Sequence, residues 1–393
     1  MNPPLRVRVV LAVGAGQLLA WASSYYLLAI VARPMASQLA LPPVAVYADF
    51  SGALLVAALL GPWAGARVDR HGGRRVLLAS NYAFALALCV LATAQGPVSL
   101  ACGWLLLGAA MPLGLYDAAF STLVRMYREQ ARRSIVGVTL VAGFASSVSW
   151  PLSALVEAHY GWRAVCVVWA LLHFTAGAAI HRYLVPEPPP TPAAPAAADE
   201  PVLARAPDAT TFWLLAAAFT ASGFVFAALA AHLPRLLQSA GATPAAAIAA
   251  ASLVGVFQVG ARVLEAGLLH RLPPLASALI ASILHPLGAL LLGLAGVPAV
   301  YLFTALHGAG VGLMTIVKGT LPLALFGAAG FGRRSGLLEA PSRVAQALAP
   351  LLFGLWLDAI GVRVLWISGG LAFAGFAGVL FLGWRNSRGP STP

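Results

Sequence analysis

Charged residues mark off uncharged runs along the chain that are long enough to cross a bilayer, which takes about 20 apolar residues as a helix. The first runs from Arg8 to Arg33, and the second from Asp49 to Arg67, extended upstream towards Pro43. The run from Arg75 to Asp117 is too long for one helix and is broken at Gln95-Gly96-Pro97. It predicts the third span and most of a fourth that ends near Thr122. Arg133 to Glu157 and Arg163 to Arg182 give spans five and six. From Val185 to Thr210 the chain turns to proline and alanine, a composition no packed helix survives. The apolar pattern then restarts. Asp208 to Arg235 gives span seven, and span eight, about Ala245 to Leu269, carries Arg262 and Glu265 inside it. Arg271 to Lys318 splits at Gly296-Val297-Pro298 into spans nine and ten. Span eleven, about Gly336 to Leu357, carries Glu339 and Arg343, and Arg363 to Arg385 gives the twelfth. The expectation is an all-α membrane protein of twelve transmembrane helices. Six fall in residues 1–184 and six in 210–393, around a cytoplasmic Pro/Ala-rich linker at 185–209.

Composition agrees. Of 393 residues, 60% are hydrophobic and 9% charged, with mean hydropathy +0.86. A soluble globule carries about a quarter charged residues, so a soluble domain and a disordered chain are both excluded. The net charge of +12 comes almost wholly from arginine, Lys318 being the single lysine. With the N-terminus inside, most basic residues fall on cytoplasmic segments, Lys318 counted among them at the end of span ten. Only Arg33, Arg163, Arg235 and Arg363 fall outside. That bias accounts for the charge without nucleic acid and puts both termini in the cytoplasm. A cleavable signal peptide over Arg6 to Ala22 is the competing reading, but the apolar run continues to Val31, so the first span is kept. Cys89, Cys102 and Cys166 lie in apolar stretches and suggest no disulfide framework.

The halves resemble each other. Pro151, Gly161 and Arg163 at the span five–six turn are matched by Pro350, Gly361 and Arg363 at the span eleven–twelve turn. A parallel repeat of this kind is how alternating-access transporters are built. Between spans two and three, Gly65-Ala66-Arg67-Val68-Asp69-Arg70-His71-Gly72-Gly73-Arg74-Arg75 carries the pattern G-x-x-x-D-R-x-G followed by basic residues. This resembles the loop motif of the major facilitator superfamily, and the resemblance covers the whole chain. It implies two six-helix bundles that rock about a central site. It also implies a cytoplasmic gate in which the aspartate, here Asp69, meets the start of helix eleven and nearby arginines. Gly65, Arg70 and Arg74 complete that motif. Arg67 departs from it, standing where a long apolar residue is usual. The glycine-rich helix-five stretch of drug/proton antiporters is missing: Ser149-Trp150-Pro151-Leu152-Ser153-Ala154 keeps only the proline. Tyr25-Tyr26 ahead of Arg33-Pro34, with the Tyr160-Gly161-Trp162-Arg163 turn, is similar to monocarboxylate and oxalate/formate-type porters. Tyr25 and Tyr26 are therefore candidates for substrate contact, and a bacterial cytoplasmic (inner) membrane is the expected location.

A charge at the centre of a spanning helix costs about 2.5–3.5 kcal/mol on insertion scales. Asp117, Arg262, Glu265, Glu339 and Arg343 therefore carry function or internal pairing. Asp117, Arg262 and Arg343 each lie two to three turns from a cytoplasmic arginine, ~12–14 Å deep. The planar guanidinium fork suits a carboxylate, so Arg262 and Arg343 are read as the anion-binding pair. Asp117, Glu265 and Glu339 are the proton-coupling candidates, with an Arg262–Glu265 ion pair on one helix face as the structural alternative. His307 is a candidate for the cavity, whereas His173 and His285 are expected to pack. Gly61-x-x-x-Gly65 and Gly308-x-x-x-Gly312 are expected to be close helix crossings. The function expected is a secondary transporter, proton-coupled, moving a small organic anion; the alternative is a drug or toxic-compound exporter of the same superfamily. No H-E-x-x-H or G-x-S-x-G motif appears, so no enzyme activity is expected. Nor is a cofactor or metal, and a monomer in the lipid bilayer would suffice.

Overall fold

The computed structural model describes residues 3–127, 131–186, 208–267, 272–326 and 331–387. It leaves out the side chains of 3–5, 69, 132, 266, 323, 331–336, 386 and 387. Most of the expected linker, 185–209, thus lies outside the described residues. All regular elements among the described residues are helices, and the chain divides into two compact units, Met1–Ala196 and Ala197–Pro393. Nine stretches among the described residues are long and apolar enough to cross a membrane. Two of them, Arg133–Leu184 and Leu337–Arg385, each hold two spans, and the first span completes the twelve.

In the first unit, three spans are broken where uninterrupted helices were expected. The first consists of α1 (Pro3–Ala22) and α2 (Leu28–Gln38), separated by a turn at 23–27. Ser23 and Ser24 begin that turn, and the Ser24 hydroxyl donates to the Ala20 carbonyl at 2.6 Å, diverting an acceptor from the helix ladder. The freed carbonyls find partners on a later helix. Ser149 Oγ donates to Ala22 O at 2.7 Å, and Trp150 Nε1 donates to Tyr26 O at 3.1 Å. Next come α3 (Pro43–His71) and α4 (Gly73–Ala92), joined at Gly72, whose φ of 83° suits glycine. The fourth span consists of α5 (Pro97–Gly114) and α6 (Tyr116–Tyr127), interrupted at Leu115, and it runs beyond Thr122. Here Gln17 Nε2 donates to the Gly114 carbonyl at 2.5 Å. The fifth begins with α7 (Ala131–Ala142) and continues into α8 (Ala145–Leu172), which turns back at Gly161 (φ 78°) to become the sixth. Two π-helical turns, His173–Gly177 and Ile180–Leu184, finish it.

The second unit keeps its helices whole: α9 (Ala209–Ser239), α10 (Pro244–Gly267), α11 (Pro274–Ala295), α12 (Val300–Phe326), α13 (Phe331–Ile360) and α14 (Val364–Ser387). Gly361, with φ 58°, makes the turn matching Gly161. Asp208 caps α9, accepting from the Thr211 amide at 3.1 Å, and pairs with Arg385 on α14 at 2.6 Å. Arg235 on α9 pairs with Asp358 on α13.

Lipid is as apolar as the helices themselves, so close packing rather than hydrophobic burial must join them. Gly308 and Gly312 of α12 lie against the backbone of α10: a Cβ on either would strike the Val254 or the Gln258 carbonyl. In the first unit the equivalent crossing, α5 on α3, is made by Gly108 against the backbone of Ala53. Among the described residues nothing packs against Gly65, where a Cβ would meet no atom within 4 Å.

Candidate functional site

The second unit holds most of the charge that lies inside spans. Arg262 on α10 is 2% exposed, and its guanidinium turns towards α12. It donates to Thr315 Oγ1 at 3.1 Å and to the Gly312 carbonyl at 3.5 Å, at the glycine that lets the helices approach. These two bonds tie Arg262 into the crossing of α10 with α12. Glu265, one turn on, is half-buried.

Lys318 is not at the end of its helix, where the charge-bounded run would put it. It was counted among the cytoplasmic charges at the end of span ten, but α12 continues about two turns beyond it, to Phe326. Its ammonium binds Glu339 of α13 at 2.9 Å, with both side chains about three-quarters buried (25% and 23% exposed), and lies 5.5 Å from the centre of the Phe219 ring on α9. Three helices thus meet around one ion pair. Arg343 sits one turn beyond Glu339 on α13, and its side chain is exposed. Sequence reasoning named Glu339 but not its partner. The available signal was that the only lysine in the chain falls inside an apolar stretch.

In the first unit the candidate site combines aromatic rings with one intramembrane acid, Asp117. The break after α1 places Tyr25 4.7 Å from Trp21 and 5.8 Å from Phe50 (ring centroids). Trp21 in turn meets Tyr116 of α6 at 5.1 Å, and Tyr116 stacks on Phe120 at 4.9 Å. Tyr26 points elsewhere. It is 6% exposed and packs edge-on against Trp150 at 5.2 Å, beside the break. Asp117 is exposed in the first turn of α6.

A buried polar chain, unforeseen from sequence, ties the first span to α4 and the end of span six. Ser23 Oγ lies 2.7 Å from His173 Nε2, and His173 Nδ1 lies 3.0 Å from Asn81 Oδ1. Asn81 Nδ2 donates to His181 Nδ1 at 2.6 Å. His307 was a candidate for the cavity, but it is 4% exposed and shares a 3.1 Å contact with His285 through their Nδ1 atoms. The pair lines a half-open pocket with Ser222, Ser282 and Met314. Among the described residues no group of three or more metal-ligating side chains gathers.

At the junction of α3 and α4, Arg70 on α3 is exposed and Arg74 on α4 half-buried, and the Arg67 guanidinium on α3 lies 4.7 Å over the Trp63 ring. The Asp69 side chain lies outside the described residues.

Two solved structures of a bacterial homologue of the human lysosomal transporter Spinster resemble this chain, both inward-facing. The occupied one gives a TM-score of 0.66 at 18% identity and the unoccupied one 0.67 at 16%; each comparison covers 97% of this chain and 95% of the other. The human organic anion transporter MFSD10 (TETRAN) gives 0.68 at 16% identity, over 96% of this chain and 100% of that one. No curated protein matches by sequence. Residues 13–296 match the Major Facilitator Superfamily. With twelve spans in two six-helix units and that match over most of its length, the chain belongs to the Major Facilitator Superfamily and is a multi-pass secondary transporter of a small molecule.

Proposed function

We propose that the protein is a proton-coupled porter of an organic anion, working by alternating access in a bacterial cytoplasmic membrane. On this reading both termini and the 185–209 linker are cytoplasmic, and the monomer is the working unit. The gate is formed by Gly65, Asp69 and Arg70 at the end of α3 and Arg74 at the start of α4. The observation that carries the reading is the Lys318–Glu339 pair inside the spans of the second unit. Arg343 lies one turn away on the same helix with its side chain exposed, a second basic group close to the pair. A substrate carboxylate competes with Glu339 for Lys318. A carboxylate deprived of its cation inside a membrane is costly as an anion and takes up a proton. Anion binding and proton uptake are coupled in this way. Asp117 and Glu265 are the other acids placed to exchange protons. One structural neighbour's description as an organic anion transporter is in keeping with this class.

Exporters of amphiphilic cations are the second reading, favoured by the Trp21, Tyr25 and Tyr116 rings close to Asp117. Binding measured by thermal shift on the purified protein separates the two. Lactate or benzoate is expected to raise the melting temperature of the wild type, and Lys318→Ala to remove the effect. Stabilisation by benzyltrimethylammonium and by neither anion would overturn the anion reading.

A further inference from the structure

Two histidines of the second unit make a contact that neither the ion pair nor the glycine crossings use. His285 of α11 and His307 of α12 are buried inside their spans, with their Nδ1 atoms 3.1 Å apart. Gly310 lets the helices approach, since a Cβ there would come within 3.1 Å of the Ala281 carbonyl on α11. Phe303 packs on both rings, edge-on to His285 at 5.8 Å and stacked on His307 at 6.1 Å. Two nitrogens share a hydrogen bond only when one carries the hydrogen and the other the lone pair. The neutral pair is therefore of mixed tautomers. The ring that donates from Nδ1 has a bare Nε2, and the ring that accepts at Nδ1 has an Nε2–H. At His285 that Nε2 is buried and has no hydrogen-bond partner, a state native structures rarely keep without a use.

The pair faces a half-open pocket between α9, α11, α12 and α14, whose other polar side chains are Ser222 and Ser282. Among the described residues no further titratable side chain lines it. Of the helices packed on α12, α10 brings Arg262, bonded to Gly312 and Thr315, and Glu265 one turn on. The next, α13, brings Glu339 and Arg343. On α9, His232 bonds to the Pro350 carbonyl and Arg235 pairs with Asp358; on α14, Arg385 pairs with Asp208. The pocket reaches along α12 to Met314, one turn before Lys318. Along α9 it reaches Ala218, next to Phe219, whose ring centre lies 5.5 Å from the Lys318 ammonium. His307 and Lys318 stand about 16 Å apart along α12, and the pocket leads from one towards the other.

We propose that His285 and His307 are a proton relay that supplies the proton taken up by Glu339 when an anion binds. The proposal rests on the proton-coupled reading and adds the route within the second unit. A proton arriving at the bare Nε2 of one ring sends that ring's Nδ1 hydrogen to the other Nδ1. The second ring then gives up its Nε2 hydrogen to the pocket. One proton enters, one leaves, and the pair stays neutral, which suits a lining without a carboxylate. Return of both rings to their first tautomers resets the relay.

The test uses the purified full chain in vesicles, with benzoate as the anion and a trapped pH-sensitive dye. His285→Gln and His307→Gln each keep a hydrogen-bonding side chain that cannot pass a proton in this way. Both are expected to bind benzoate and to exchange labelled benzoate as wild type does, because exchange needs no net proton movement. The benzoate-driven pH change should slow by about tenfold or more. On wild type itself, nitrogen-15 spectra should show one ring of the pair protonated at Nδ1 and the other at Nε2, a readout that holds even if both variants fold poorly. Three results would overturn the relay: an undiminished pH change in either variant, loss of benzoate binding or exchange in a folded variant, or two rings of the same tautomer. The proton-coupled reading survives each of them while Glu339→Gln abolishes the pH change. Benzoate entry into wild-type vesicles with no pH change would overturn both.

Discussion

The two six-helix units handle buried polarity in different ways. The first breaks three spans and satisfies the freed backbone with neutral side chains: Ser149, Trp150 and Gln17 bond to carbonyls, and Ser23, His173, Asn81 and His181 bond to one another. The second keeps its helices continuous and places charge inside them, with Arg262 against α12 and Lys318 against Glu339. Neutral hydrogen bonds fix a shape and do not change with protonation of a substrate. An ion pair, by contrast, can be exchanged for another anion. On the proposed reading, charge exchange belongs to the second unit and the fixed, neutral framework to the first.

The sharpest way to break that division is at Arg262. If it is a structural bolt, Arg262→Ala should lower stability by about 3 kcal/mol, two hydrogen bonds from a charged donor at about 1.5 each. Arg343→Ala, on an exposed position, should leave the melting temperature within about a degree and weaken anion binding instead. Thermal melting of both variants in detergent decides it. A stable Arg262→Ala that has lost anion binding would return Arg262 to the role first read from its sequence position.

Next in size are the glycine crossings. Gly108→Ala and Gly312→Ala each drive a methyl into backbone that cannot move aside, so each should cost about 1–3 kcal/mol. Gly65→Ala has open space around it and should be neutral or stabilising by up to about 1 kcal/mol, the helix-propensity gain. Equal losses at Gly65 and Gly312 would contradict the packing described.

Most of the spans were legible because charges bound their apolar runs, and two reversals because Gly96-Pro97 and Gly296-Val297-Pro298 cannot continue a helix. The breaks were not legible. Ser23-Ser24 and Leu115 lie within apolar runs, and the carbonyls they free are satisfied by side chains more than ninety residues distant in sequence. At the candidate site the acids and arginines announced themselves by their cost in a membrane, but partners did not. Arg262 and Glu265 share a helix face, yet the guanidinium bonds observed go to α12. Charge spacing took Lys318 as the end of a span, whereas α12 continues past it.

A smaller effect tests the neutral repair of the first unit. Ser149→Ala and Trp150→Phe should each cost about 1 kcal/mol, one neutral hydrogen bond apiece. Both should raise amide exchange at 23–27 while leaving exchange in α9 and α13 unchanged.

The smallest concerns the exposed tie between Asp208 and Arg385. The hydrogen bond from Arg385, followed by that from Thr211, holds the Asp208 carboxyl below its ordinary value of 3.8. A lowered folded value means that the contribution is complete above 3.8 and fades as pH falls through the folded value. The melting difference between wild type and Asp208→Asn should therefore be constant from neutral pH to about 4 and shrink below it. A difference that grew on acidification would have the wrong sign.

Proton movement driven by an anion gradient is the most direct test of charge exchange in the second unit. Vesicles containing the purified protein and a trapped pH-sensitive dye are given an inward benzoate gradient. Wild type is predicted to change internal pH with benzoate entry, Lys318→Ala to carry neither benzoate nor protons, and Glu339→Gln to carry benzoate with the pH change abolished. Undiminished proton-coupled benzoate entry in both variants would contradict the account.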